Sequence, residues 1–128
     1  FVSGKTSEDA LMKEHDIRCI HYGNFIGEAL KIASSLEFQH VIVAIMIGKA
    51  VKLAEGHLDT HSHKVTMNRE FLKQIAGLDA DKIDSITLAR ELWDIMPPAF
   101  FEKIQDLCYK HCRTVFPEGQ LTIKIIKN

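Results

Sequence analysis

The chain has 128 residues, 46% of them apolar and 26% charged, enough to bury a single core and too apolar for a disordered tail. Sixteen basic side chains against seventeen acidic ones leave a net charge of -1, without the electropositive footprint that nucleic acid demands. No apolar run nears the roughly 20 residues of a membrane span. Three cysteines make no disulfide framework, so the expected compartment is the reducing cytoplasm.

The chain opens on Phe1-Val2-Ser3-Gly4 with no methionine, which reads as the end of a strand entering a turn. The expectation is one α/β domain over residues 1–128, the C-terminal piece of a longer protein. Thr6 or Ser7 caps a first short helix, with Glu8 and Asp9 at its positive end. Ile17-Arg18-Cys19-Ile20-His21-Tyr22 reads as a strand ended by Gly23-Asn24. Phe25, Ile26, Ala29, Leu30, Ala33 and Leu36 then recur at helical spacing and are expected to face inward. His40-Val41-Ile42-Val43-Ala44-Ile45-Met46 is an unbroken apolar run, the mark of a strand buried on both faces. Gly48 opens a further helix to Ala54, and Gly56 closes it as a C-cap.

This alternation of strand, glycine turn and helix predicts a mostly parallel sheet with helices on both faces, a Rossmann-like three-layer α/β arrangement. Beyond a polar stretch, three helices are predicted. The first covers 68–76, with Phe71, Leu72 and Ile75 inward. The second covers 81–96, with Ile86, Ala89, Leu92, Trp93 and Met96 on one face. The third opens at Pro97-Pro98 and carries Phe101, Ile104, Cys108, His111 and Val115 as its stripe. After the turn Pro117-Glu118-Gly119, alternation through Leu121-Thr122-Ile123-Lys124-Ile125-Ile126-Lys127 predicts a final edge strand.

Several groups carry chemistry. Gly4-Lys5-Thr6-Ser7 has the tail of a phosphate-binding loop but no visible preceding glycine and no metal-holding aspartate, so a turn with a helix cap explains it better. Gly23-Asn24-Phe25-Ile26-Gly27-Glu28 lies where a parallel sheet places ligands, and helix-start amides there suit carboxylate or phosphate. Packing glycines are the equal alternative. Ile47-Gly48-Lys49-Ala50-Val51-Lys52 repeats the arrangement with two lysines three residues apart, repelling each other unless an anion lies between them. Solvated lysines are the plain alternative. His57, Asp59, His61 and His63 match no helical metal-ligand spacing and read as a polar loop, in which one histidine could act as acid or base. Cys108, His111 and Cys112 lack a fourth ligand, and core packing accounts for them.

The three blocks Gly23-Asn24-Phe25-Ile26-Gly27-Glu28-Ala29-Leu30, Ile47-Gly48-Lys49-Ala50-Val51-Lys52-Leu53-Ala54-Glu55-Gly56 and Thr60-His61-Ser62, in that order and spacing, resemble the C-terminal half of the CbiD family of cobalt-precorrin-5B C-1 methyltransferases. The likeness is clear over residues 1–65 and faint afterwards. It departs at Ile45-Met46, where the family commonly has glycine-histidine or glycine-methionine, and at Asp59, where asparagine is frequent. The resemblance implies S-adenosyl-L-methionine as methyl donor and an anionic cobalt-precorrin tetrapyrrole as acceptor, in cobalamin biosynthesis. It also implies an N-terminal domain of the same protein as partner. On this reading the donor is assigned to Gly23, Asn24, Phe25 and Gly27, and the acceptor to Gly4, Gly48, Lys49, Lys52, Thr60 and Ser62. His61 is the candidate catalytic group. Cobalt arrives inside the substrate, so no protein-bound metal, nucleic acid or membrane is expected. The rival expectation is a non-catalytic α/β module binding a small anion or nucleotide.

Overall fold

The computed structural model describes residues 25–58 and 68–127. Five α-helices and two strands run in the order α1 (Ile26–Ser35), β1 (His40–Met46), α2 (Ile47–Ala54), α3 (Arg69–Ala76), α4 (Leu92–Ile95), α5 (Pro98–Arg113) and β2 (Gln120–Ile126). Two 3₁₀ segments, Gly77–Ser85 and Ala89–Glu91, separate α3 from α4. The strands pair in parallel from His40 opposite Gln120 to Met46 opposite Ile126, which makes this a mixed α/β fold. The turn at residue 4, the short first helix and the strand over 17–22 lie outside the described residues. The three-layer arrangement needs that strand and is not shown.

β1 behaves as its composition requires: Val41, Val43, Ala44 and Ile45 are buried, as in a parallel strand covered on its faces. α2 follows β1 without a linker, and its far end closes in a Schellman turn, with His57 N–H donating to the Lys52 carbonyl and Gly56 N–H to Leu53. α5 starts at Pro98, whose missing N–H costs nothing in a first turn. It buries Phe100, Ile104, Cys108 and Cys112 against α2, α3 and β2 in one continuous core. Both cysteines are fully buried; the Cys108 thiol donates to the Ala50 carbonyl at 3.1 Å. Burial pushes the Cys112 thiol up to about 12, so it packs as a small apolar residue rather than a reactive thiolate.

Two sequence expectations are corrected. The helix predicted over 81–96 is broken: Ile86 and Leu88 are extended and only Leu92–Ile95 is α-helical. The backbone groups a helix would pair internally are taken by side chains instead. Arg69 donates to the carbonyls of Ile83 and Ile86, both at 2.8 Å. The Glu91 carboxylate accepts from the N–H groups of Thr87 and Leu88, both at 2.6 Å. Those two bonds hold the Glu91 carboxyl below its ordinary range. The second correction concerns α1, where Ile26, Leu30 and Ala33 are buried but Phe25 and Leu36 stand out in solvent.

α1 ends in another Schellman turn, but the left-handed position is Glu37 at φ 58°, with Phe38 N–H on the Ala33 carbonyl and Glu37 N–H on Ser34. A β-carbon makes that conformation costly. Glu37→Gly is therefore expected to stabilise the chain by about 0.5–1 kcal/mol, read as a rise of a few degrees in thermal midpoint.

Candidate functional site

The site expected from sequence centres on the helices flanking β1. α2 begins directly at the carboxyl end of β1, capped by Met46 in extended conformation with no side-chain hydrogen bond and no acidic residue in the first turn. The partial positive charge of its leading amides therefore meets no acid from the helix's own first turn. Lys49 sits in that turn, and its ammonium is held below the ordinary lysine range, first by burial and then by the repulsion of Lys52. The two lysines thus share a face, as their spacing requires. An anion between them would relieve both penalties.

The start of α1 differs. Gly27 N–H donates to the Leu58 carbonyl at 3.2 Å, and a β-carbon on Gly27 would lie 2.9 Å from that of Leu58. Gly27 is glycine because the chain after α2 crosses there, and its amide is already engaged. Phe25 is 51% exposed, and Glu28 places a carboxylate in the first turn, where it competes with any bound anion. Gly48 faces Ala89 instead, at an ordinary 3.7 Å from an added β-carbon. The two helix starts therefore meet different neighbours, Leu58 and Ala89.

Gly4, Gly23, Asn24, Thr60, His61 and Ser62 lie outside the described residues, as do Asp59 and His63. The two flanks of segment 59–67 are nonetheless anchored. Leu58 is tied to Gly27, and the Asn68 amide donates to Glu55, just past α2, while its carbonyl caps α3 by accepting from Phe71 N–H at 3.2 Å. Leu58 is thus held at the start of α1 and Asn68 at the end of α2. His57, one of the candidate metal ligands, is exposed and 3.6 Å from the Glu55 carboxylate. Among the described residues no group of three or more His, Cys, Asp or Glu could hold a metal, and no helix is long and apolar enough to cross a membrane.

Sequence reasoning missed one feature. A groove of about 480 Å³ opens between the first half of α5 and β2, lined by Trp93, Phe101, Glu102, Gln105 and Ile125 among others. The Trp93 and Phe101 rings stack 4.0 Å apart, and Gln105 donates to the Ile123 carbonyl at 2.8 Å. The buried Trp93 indole N–H has no acceptor. Helical spacing identified Trp93 and Phe101 as inward-facing, but nothing local signalled that their elements stop short of closing over them.

The described residues form a mixed α/β fold in which α2 starts, with no acid in its first turn, at the end of a parallel strand. The chain is a distant homologue of the cobalt-precorrin-5B C(1)-methyltransferases, the CbiD family. It is 36% identical over 128 aligned positions to the enzyme of that name from Thermoanaerobacter sp., covering 88% of the chain and 35% of the relative. The counterpart from Prosthecochloris aestuarii is 34% identical over 113 positions, 80% of the chain and 31% of the relative. That from Sulfolobus acidocaldarius is 35% identical over 86 positions, 65% and 24%. The chain spans about a third of the length of the first two of these curated relatives. It matches no protein-family model, and no solved structure matches it.

Proposed function

We propose that the chain supplies the acceptor-anchoring part of a methyltransferase that moves a methyl group from S-adenosylmethionine to ring carbon C-1 of a cobalt-precorrin. It does so as the C-terminal portion of a longer chain. The observation that carries this is the start of α2, uncapped and acid-free, with Lys49 burdened by burial and by Lys52. A tetrapyrrole rimmed by carboxylates carries charge opposite to that of the two lysines, and charge-assisted bonds to Lys49 and Lys52 fix its position. In the transfer itself a carbon–carbon bond forms as the methyl–sulfur bond breaks. The sulfonium becomes a neutral thioether, and its positive charge passes to the ring system. Such a step gains most from alignment of the two partners, which is the role given to Gly48, Lys49 and Lys52 on the acceptor. Thr60, His61 and Ser62 lie in the segment between the anchored Leu58 and Asn68, and His61 is assigned a proton or a substrate group. Gly23, Asn24 and Phe25 remain the donor candidates. Gly27 shapes that turn through Leu58 rather than by offering its amide.

The test uses a full-length hybrid in which this chain replaces the homologous segment of the Thermoanaerobacter enzyme. Lys49→Ala is expected to raise the KM for the tetrapyrrole about 10- to 100-fold, the worth of one charge-assisted bond, with kcat changed far less. The pH dependence has a definite sign. Between the depressed pKa of Lys49 and its ordinary value of 10.5, the unfolded chain holds more protons than the folded one. Stability of the unliganded chain therefore rises with pH across that window. A bound anion raises the Lys49 pKa, so its affinity falls as pH climbs through the same window. An unchanged KM in both Lys49→Ala and Lys52→Ala removes this anchor.

The rival reading, a non-catalytic module for a small anion, draws on the engaged amide of Gly27, which leaves the α2 start as the better anion site of the two. Saturable binding of a simple polyanion without binding of S-adenosylmethionine in the hybrid favours it.

A further inference from the structure

α1 carries two apolar faces. At 100° per residue, Ile26, Leu30 and Ala33 fall together and enter the core. Phe25, Ala29, Ile32 and Leu36 form a second stripe roughly 100° away. That stripe is open: Phe25 is 51% exposed, Ile32 60% and Leu36 61%. Isolated exposed apolar residues mean little, but an aligned set on one helix marks a contact surface. We propose that this stripe is the seat of another part of the same polypeptide, an apolar face within the roughly two thirds of the methyltransferase that this chain does not span. The inference rests on the proposed function for its occupant.

Three observations favour that occupant over a second copy of the chain. The relatives extend far beyond the matched region, since the match covers only 31–35% of their length in the two longest alignments. The stripe is about 16 Å long, eleven rises of about 1.5 Å from Phe25 to Leu36. One helix face of that length falls well short of the roughly 1,200 Å² a stable dimer buries. A contact within one polypeptide forms at high effective concentration and needs much less. Finally, the stripe begins at Phe25, one of the donor candidates, two residues from Gly27, whose amide bonds to the Leu58 carbonyl, and ligand sites favour junctions between domains.

Ile32→Lys with Leu36→Lys tests this in the 128-residue chain and in the full-length hybrid. In the short chain the pair should leave the thermal midpoint within about 2 °C, as exposed substitutions do. In the hybrid, hydrogen exchange of residues 26–36 should be slowed at least tenfold relative to the short chain, and the lysine pair should abolish that slowing. Equal exchange in both proteins overturns the proposal. So does a short chain that is dimeric and is split by the lysine pair, since the stripe then belongs to a second copy. If the hybrid does not fold, the same pair placed at the aligned positions of the Thermoanaerobacter enzyme, read by exchange of its equivalent helix, decides the matter. Exchange is independent of methyl transfer: a protected stripe in an inactive hybrid sinks the proposed activity and keeps the seat.

Discussion

Gly119→Ala is expected to destabilise the chain by about 2–4 kcal/mol, combining the left-handed backbone penalty with a steric clash. Gly119 sits at φ 80°. A β-carbon there would lie 2.8 Å from the Phe38 carbonyl oxygen, 3.0 Å from that of Gln39 and 3.3 Å from the Phe116 ring. The first two are backbone atoms at the entrance to β1, and neither can swing away as a side chain would. The next bond, Gln120 N–H to the Gln39 carbonyl at 2.8 Å, starts the parallel ladder. Relief of the clash therefore separates the two strands where their register is set. Gly77→Ala is the matched control, since Gly77 has φ 58° with nothing within 4 Å of the added carbon. With ψ at -111° its cost is backbone strain alone, about 1–3 kcal/mol. At roughly 4 °C per kcal/mol for a domain of this size, thermal melts separate the two. Equal losses would mean that the close approach to residues 38 and 39 contributes nothing.

The turn at Gly119 was legible in the sequence because its cause is local: Pro117-Glu118-Gly119 between a helix and an alternating run. β1, the Gly56 cap and the opening of α5 at Pro98 were legible for the same reason. Each is decided by residues next to one another in the chain. What escaped the sequence depends on partners far along it. Spacing gave Phe25 and Leu36 the same rank as Ile26 and Leu30, because a helix with two apolar stripes has the same period as one with a single broad stripe. Gly27 read equally well as a glycine for a ligand or for a crossing chain, and only the Leu58 contact separates them. At the α2 start, residue types suggest Gly48, Lys49 and Lys52 as candidates. The burial that lowers the Lys49 pKa and the approach of Ala89 to Gly48 come from tertiary packing.

The misread stretch 81–96 gives the second large effect. Ile86, Ala89, Leu92, Trp93 and Met96 do recur at helical spacing. Local pattern loses there to one guanidinium arriving from α3, fourteen residues before one acceptor and seventeen before the other. Arg69→Met keeps much of the stem's packing but leaves the partly buried carbonyls of Ile83 and Ile86 without a charged donor. The expected loss is about 2–3 kcal/mol, the worth of hydrogen bonds to a charged group. Arg69→Lys should recover less than half, because an ammonium is a point charge that does not match two carbonyls as a planar fork does. Arg90→Met, on an exposed side chain of the same stretch, should fall within about 0.5 kcal/mol of the parent. Hydrogen exchange then locates the damage: residues 77–91 should open faster in Arg69→Met while α5 keeps its protection until global unfolding. The consequence reaches the candidate site, because Ala89 is the neighbour that Gly48 faces at the start of α2. Loosening that stretch withdraws packing from the helix start that carries Lys49, so Arg69→Met should also weaken polyanion binding, although Arg69 contacts no proposed ligand group. Full exchange protection over 77–91 in Arg69→Met would show that the segment holds its path without the guanidinium, and the link to the helix start would go with it.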